Sequence, residues 1–343
     1  MKAFWSDTQQ GHAPKFFLQR GQLRQNFEVP ARAEALLAAA KSMGLEITAP
    51  APMARAALER VHAPDYLDFL ARAATDWAAL PDHGEELVAN IHPTPEMLAG
   101  GARKSGTIIG ELGWYTADTA CPIGPGTWAA AEAAACCAVA AADEAALGRT
   151  AYALTRPPGH HSYAARAGGH CYLNNAALAA QRLRDRGAAR VGILDIDSHH
   201  GNGTQGIFWQ RGDVVFASVH GDPNRYYPWY VGHKEEIGEG EGEGCNLNLP
   251  LPFGSGDAPW LEAVGAAVAA LERAGVDALV VSLGFDASKD EPLAALTVTE
   301  EGFAKAGAGI GALRKPTAII QEGGYAVAVI GELLKRFLGA VGA

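Results

Sequence analysis

Residues 190–204 read Arg-Val-Gly-Ile-Leu-Asp-Ile-Asp-Ser-His-His-Gly-Asn-Gly-Thr. The run Val191 to Leu194 has the composition of a buried strand, yet it breaks at once into Asp195, Asp197, His199 and His200, then a Gly201-Asn202-Gly203 turn. Taking carboxylates out of water costs several kcal/mol each unless a cation or positive partners neutralise them. Asp197 and His199 are separated by one residue, so an extended chain points both side chains the same way. A carboxylate oxygen and an imidazole nitrogen converging there suit Zn²⁺. The competing reading is a polar loop whose side chains bond turn amides.

The same kind of break recurs. Ala151 to Thr155, strand-like, runs into Arg-Pro-Pro-Gly and then His160 and His161. Ala278 to Leu283 runs into Gly284-Phe285-Asp286, and Thr317 to Gln321 into Glu322-Gly323-Gly324-Tyr325. Asp286 would complete an Asp-His-Asp ligand set with Asp197 and His199, leaving the ion a free position for water or substrate. Each residue alone has an ordinary explanation: a histidine pair in a turn, an Asp as helix N-cap, a Tyr that packs. Their coincidence at successive strand ends favours a reaction site.

Strand ends meet only if the strands lie side by side in one direction, and the chain has the order this requires. Helix Thr127 to Leu147 leads to the strand at 151–155, helix Asn175 to Arg186 to the strand at 191–194, and a further strand spans Asp213 to Val219. Helices Trp260 to Ala274 and Thr299 to Leu313 precede the strands at 278 and 317, and Ala326 to Leu338 closes the chain. The alternation predicts an α/β fold, a parallel sheet flanked by helices in three layers, with the ligand site beyond the carboxyl ends of the strands. Earlier in the chain, Ala3 to Trp5 reads as a strand and Pro30 to Met43 and Leu58 to Ala74 as helices. Segments 8–27 and 77–125 read as irregular insertions into a single domain over 1–343.

The net charge of −10, a pI near 5.6 and the lack of any Lys/Arg run argue against nucleic-acid or membrane partners. Cysteines 121, 136, 137, 171 and 245 are odd in number, and the adjacent Cys136 and Cys137 fall in an Ala-rich helical stretch unsuited to a disulfide framework. The N-terminus has no apolar signal segment, and no apolar run approaches the roughly 18 residues a membrane span needs. A reducing, cytoplasmic location is expected.

With these residues in view, the chain resembles the histone deacetylase superfamily and its arginase/deacetylase fold, above all the bacterial acetylpolyamine amidohydrolases and histone deacetylase-like amidohydrolases. The matching motifs are Arg-Pro-Pro-Gly-His-His at 156–161, Gly-Gly-His-Cys-Tyr-Leu-Asn-Asn at 168–175, Asp-Ile-Asp-Ser-His-His-Gly-Asn-Gly-Thr at 195–204, Ser-Leu-Gly-Phe-Asp at 282–286 and Glu-Gly-Gly-Tyr at 322–325. Val-His-Ala-Pro-Asp-Tyr-Leu at 61–67 is a weaker match. The resemblance implies a Zn²⁺- or Fe²⁺-dependent amidohydrolase acting on a small acylated amine, with Asp197, His199 and Asp286 as ligands. It implies His161 as general base and acid, His160 as electrostatic partner and Tyr325 as donor to the acyl carbonyl, with Asp195 bonding His160 and Asn202 bonding His161. Ser218, with carbonyls of Val219 and Asp195, falls where the family binds a structural K⁺ or Na⁺.

Gly169 and His170 fall on the substrate tunnel, His170 where relatives place Phe or Tyr. Phe17 and Ile109 fall where polyamine-directed relatives place carboxylates, so poor activity on polycationic polyamines is expected; Glu111, two residues from Ile109, is the nearest substitute acid. The resemblance also implies a homodimer formed through the two insertions. An arginase-like ureohydrolase, which needs further carboxylates for two Mn²⁺ ions, a protein acetyl-lysine deacetylase and a non-catalytic acyl-amine binder remain alternatives at this stage.

Overall fold

The structure is a computed structural model that describes residues 1–293 and 295–342. In chain order its elements are β1 (Lys2–Phe4), β2 (Phe16–Gln19), β3 (Gln22–Gln25), α1 (Pro30–Ser42), β4 (Glu46–Thr48), α2 (Arg55–Leu58), α3 (Pro64–Ala78), α4 (Pro95–Ala99), α5 (Ile108–Tyr115) and α6 (Thr127–Ala146). Then come β5 (Thr150–Ala153), α7 (Asn175–Asp185), β6 (Val191–Asp195), α8 (Asn202–Phe208), β7 (Val214–Gly221), β8 (Asn246–Leu251), α9 (Asp257–Arg273), β9 (Ala278–Leu283), α10 (Glu300–Gly311), β10 (Thr317–Gln321) and α11 (Val327–Val341).

Eight of the strands form one sheet in the order β4-β1-β5-β10-β9-β6-β7-β8, with every neighbouring pair parallel. Its central strands are apolar on both faces because helices cover both. Ile193, Val280 and Ile320 pack under α6 and α7 on one side, while Leu194, Val281 and Ile319 pack under α1, α9, α10 and α11 on the other. The alanines of α6 (Ala131, Ala135, Ala138, Ala142) let that helix lie close on the sheet. Register brings the carboxyl ends level: Asp195 stands opposite both Ser282 and Ser218, and Gln321 opposite Leu283.

Three local readings of the sequence are corrected. The helix expected from Leu58 starts instead at Pro64, where proline's missing N–H and fixed φ suit a first turn; α2 is a separate turn before it. Segment 8–27 is ordered: a 3₁₀ turn at Asp7–Gly11 is followed by the β2–β3 antiparallel hairpin. Segment 77–125 carries α4 and α5. The edge strands β4 and β8 and the short α8 had no clear signal. β4 is three residues long, and β8 contains Pro250, which an edge tolerates.

Candidate active site

The loops leaving β5, β6, β9 and β10 converge above the carboxyl edge of the sheet. Past β6 the chain stays extended through Asp197 and His199, and the loop after β9 brings up Asp286. The three offer ligand atoms within 4.8 Å of one another, all buried. His199 Nδ1 lies 2.9 Å from Asp286 Oδ2 and 3.2 Å from Asp197 Oδ1. Burial disfavours a charged imidazole, but the two carboxylates outweigh it and raise His199 to about 9. A positive charge held between the two carboxylates is therefore favoured.

The carboxylates are oriented from behind. Asp197 accepts the Gly323 amide at 2.8 Å, and Asp286 accepts the Ser198 amide at 2.7 Å. A Cβ at Gly284 would stand 2.1 Å from Asp197 Oδ2, and one at Gly323 2.5 Å from Asp286 Oδ2, which explains both glycines in their motifs. His199 is stacked on Tyr226, centroids 4.3 Å apart. One imidazole and two carboxylates, rigidly held and leaving an open side, fit a divalent first-row cation.

The tandem histidines differ by their partners. His160 Nδ1 donates to Asp195 Oδ2 at 2.9 Å; burial opposes its charge, yet Asp195 and Asp197 raise its pKa well above the ordinary histidine value. His161 Nδ1 bonds the amide oxygen of Asn202 at 2.6 Å, and burial together with the charges of His160 and His199 pushes its pKa well down. With Nδ1–H donated to Asn202, His161 keeps a free lone pair on Nε2. Tyr325 is buried, with the Arg32 guanidinium 4.8 Å from its ring centroid and the His170 ring 5.9 Å away.

Of the residues expected to line a substrate tunnel, Gly169 (φ +51) presses its backbone against the His161 ring. His170 (φ +67) meets Phe17 edge-on at 5.6 Å. Ile109, by contrast, is half exposed in the first turn of α5, about 9 Å of helix before Tyr115, where the chain turns toward Gly168. This single chain does not bring Ile109 to the wall. Glu111 is no substitute acid, since it is buried and held by Arg72 at 2.5 Å, with Lys104 3.6 Å away. Ser218 lies opposite Asp195 with Val219 next to it. His220 Nε2 must donate to Gly232 O, so its Nδ1 accepts the Ser218 hydroxyl and leaves the Ser218 lone pairs free for a cation.

Several residues here escaped the sequence reading. Tyr227 packs perpendicular to His161 at 4.8 Å and donates to Asp118, which also accepts the Gly169 amide. Glu322 accepts the amides of Gly159 and His160, fixing the histidine pair. Glu28 joins Arg32 and Arg156, and Arg32 reaches the carbonyls of Glu322 and Gly324. The adjacent aromatics Tyr226 and Tyr227 and the acid inside Glu-Gly-Gly-Tyr were the available signals. A cleft of about 700 Å³ at the opposite edge of the sheet is a salt-bridged seam, with Arg184 and Arg211 both on Asp213.

Parallel strands that present a buried Asp-His-Asp donor set to a neutral imidazole and a phenol have the layout of a metal-dependent hydrolase. The sequence matches the histone deacetylase domain over residues 26–341. It is 44% identical to the acetylpolyamine amidohydrolase of Burkholderia pseudomallei, an alignment covering 100% of this chain and 99% of the relative. It is also 44% identical to acetylpolyamine amidohydrolase 1 of Pseudomonas aeruginosa, with 96% of each covered. The crystal structure of the acetylpolyamine aminohydrolase from Burkholderia pseudomallei superposes with a TM-score of 0.96 at 43% identity, covering 100% of this chain and 99% of that one. The chain belongs to the histone deacetylase family. It is an amidohydrolase of the deacetylase type, with the eight-stranded parallel sheet expected of the fold.

Proposed function

We propose that this enzyme hydrolyses the acyl-amide bond of a small acylated amine at a single Zn²⁺ or Fe²⁺ ion held by Asp197, His199 and Asp286. The observation that carries the reading is the convergence of those three buried donors beside a neutral His161 and the Tyr325 phenol. When bound, the ion supplies Lewis acidity to the acyl carbonyl and to water. His161 Nε2 accepts the proton of the attacking water and returns it to the leaving nitrogen. His160, kept charged by Asp195, steadies the negative charge of the addition step, and the Tyr325 hydroxyl donates to the carbonyl oxygen as charge develops there. No covalent acyl-enzyme is required. The three-donor set favours one ion over the two of an arginase-like ureohydrolase.

The substrate class is that of the acetylpolyamine relatives, with selectivity for members carrying few positive charges. Phe17 is apolar where it meets His170, and Glu111 is neutralised by Arg72 and Lys104. Of the carboxylates near His170, Glu28 is paired with Arg32 and Arg156, and Asp118 is engaged by Tyr227 and Gly169. A structural K⁺ or Na⁺ at Ser218, Val219 and Asp195, a homodimer through the insertions, no nucleic-acid or membrane partner and a cytoplasmic location complete the reading. The five cysteines are free, four of them buried, and no described helix is long and apolar enough to cross a membrane.

The test is a turnover screen of metal-loaded enzyme on an acetylated polyamine, an acetyl-lysine peptide and a neutral acyl amide of similar length, at low and high salt, with metal counted per chain. One catalytic ion, and a kcat/KM for the neutral amide at least equal to that for the polyamine and insensitive to salt, are expected. Two transition-metal ions per chain would defeat the site assignment. A polyamine preference that weakens with salt would defeat the selectivity and point to Asp118.

A further inference from the structure

The loop that carries Asp286 does a second thing. Five residues on, Glu291 turns back into the protein, where it is only 6% exposed, and its Oε2 accepts the backbone amides of Tyr325 at 2.8 Å and Ala326 at 3.2 Å. Ala326 is the N-cap of α11 and makes no side-chain cap bond; Glu291 takes the backbone amides at and just before the cap, an anion at the helix N-terminus. The other oxygen, Oε1, is buried with no hydrogen-bond partner among the described residues. Burial, with Asp286 nearby, pushes this carboxyl up to about 8, so its protonated form, whose carbonyl still accepts both amides, is accessible near neutrality.

Backbone bonds also hold this corner, Phe285 N–H donating to Gly323 O at 3.1 Å and Val327 N–H to Tyr325 O at 3.0 Å, but neither reaches the amides of Tyr325 and Ala326. Arg32 covers the ring face and binds the carbonyls of Glu322 and Gly324, leaving the amides of Tyr325 and Ala326 to Glu291. We propose that Glu291 is a positioning residue for the reaction: it ties the corner that presents the phenol to the loop that presents Asp286, fixing the distance between hydroxyl and metal site. This rests on the reading that Tyr325 donates to the acyl carbonyl. A phenol displaced by about 1 Å loses on the order of a hundredfold in rate without losing substrate binding, because the donor must meet the oxygen as it becomes charged.

The experiment is a double-mutant cycle on full-length, metal-loaded enzyme. Glu291→Met keeps the buried volume and removes the acceptor, whereas Glu291→Gln keeps a carbonyl acceptor and resembles the protonated acid. Expected are a drop in kcat of about tenfold or more for Glu291→Met, with KM within roughly threefold and metal content unchanged, and near-parent kcat for Glu291→Gln. In a Tyr325→Phe background, Glu291→Met should cause no further loss. Independent, multiplicative losses, a Gln variant as poor as Met, or a Met variant that fails to fold while Gln folds would overturn the proposal and leave Glu291 as a cap for α11. If Tyr325→Phe alone retained parent kcat, the phenol reading itself would fall, and that single variant identifies the failure.

Discussion

At the residue scale the site depends on two neighbouring histidines whose backgrounds push them in opposite directions. Asp195 keeps His160 charged, while Asn202 leaves His161 neutral with its free nitrogen toward the metal side. In the proposed mechanism, His161→Ala removes the proton carrier and Tyr325→Phe the donor to the acyl oxygen. Steady-state kinetics on the best substrate should show kcat losses of about 10² to 10³ for Tyr325→Phe and at least as much for His161→Ala, with metal content at parent level. Near-parent turnover in Tyr325→Phe would reassign the phenol to packing. The three converging donors were legible in the sequence because they announce themselves locally. Asp197 and His199 alternate on an extended segment, and Asp286 ends a strand. The roles of Asp195 and Asn202 as partners of the histidines came only with the family motif. Glu291, Asp118 and Arg32 were illegible because their partners lie far away in the chain; Arg32 meets Gly324 across 292 residues.

At the scale of elements, the loop with the tandem histidines must be delivered to α7 in a fixed way, and His62 does part of this. Its Nδ1 donates to Ala164 O at 3.3 Å, and its Nε2 accepts the amide of Asn174, whose own side chain caps α7. Protonation would turn that acceptor into a donor facing a donor, and burial lowers His62 to about 4. Because the folded value lies below the ordinary 6.5, the stabilisation is complete above pH 6.5 and is lost as pH falls toward 4. Denaturant midpoints at pH 7 and pH 4.5 should show an acid loss that shrinks by on the order of 2 kcal/mol in His62→Gln, whose amide can both donate and accept. An undiminished loss would place the acid sensitivity elsewhere, with His12 and His220, each lowered to about 4 mainly by burial, the first candidates. The long helices and central strands were readable because both sheet faces are covered and the apolar runs are continuous. The β2–β3 hairpin was not: β3 is exposed throughout, so no burial pattern marks it.

At the scale of the whole molecule, apolar side chains stand in water on the two insertions. Leu18 and Leu23 lie on the hairpin, Ile91, Met97 and Leu98 between Trp77 and α5, and Ile109 in the first turn of α5. A second copy would cover them. Sedimentation of the parent should report a dimer that Leu98→Lys combined with Ile109→Lys shifts toward monomer; a monomeric parent at micromolar concentration would rule the dimer out. The strand order has a consequence in time. β10 is the last strand made, yet it lies between β5 and β9 in the middle of the sheet. A nascent chain that lacks it is in two pieces: β4-β1-β5, which carries the tandem histidines, and β9-β6-β7-β8, which carries Asp197, His199 and Asp286. Such non-local pairing makes final assembly slow and dependent on the C-terminus. The three donors can therefore come together on the ribosome before the histidines and Tyr325 join them, and the chain acquires the means to capture an ion ahead of the means to use it.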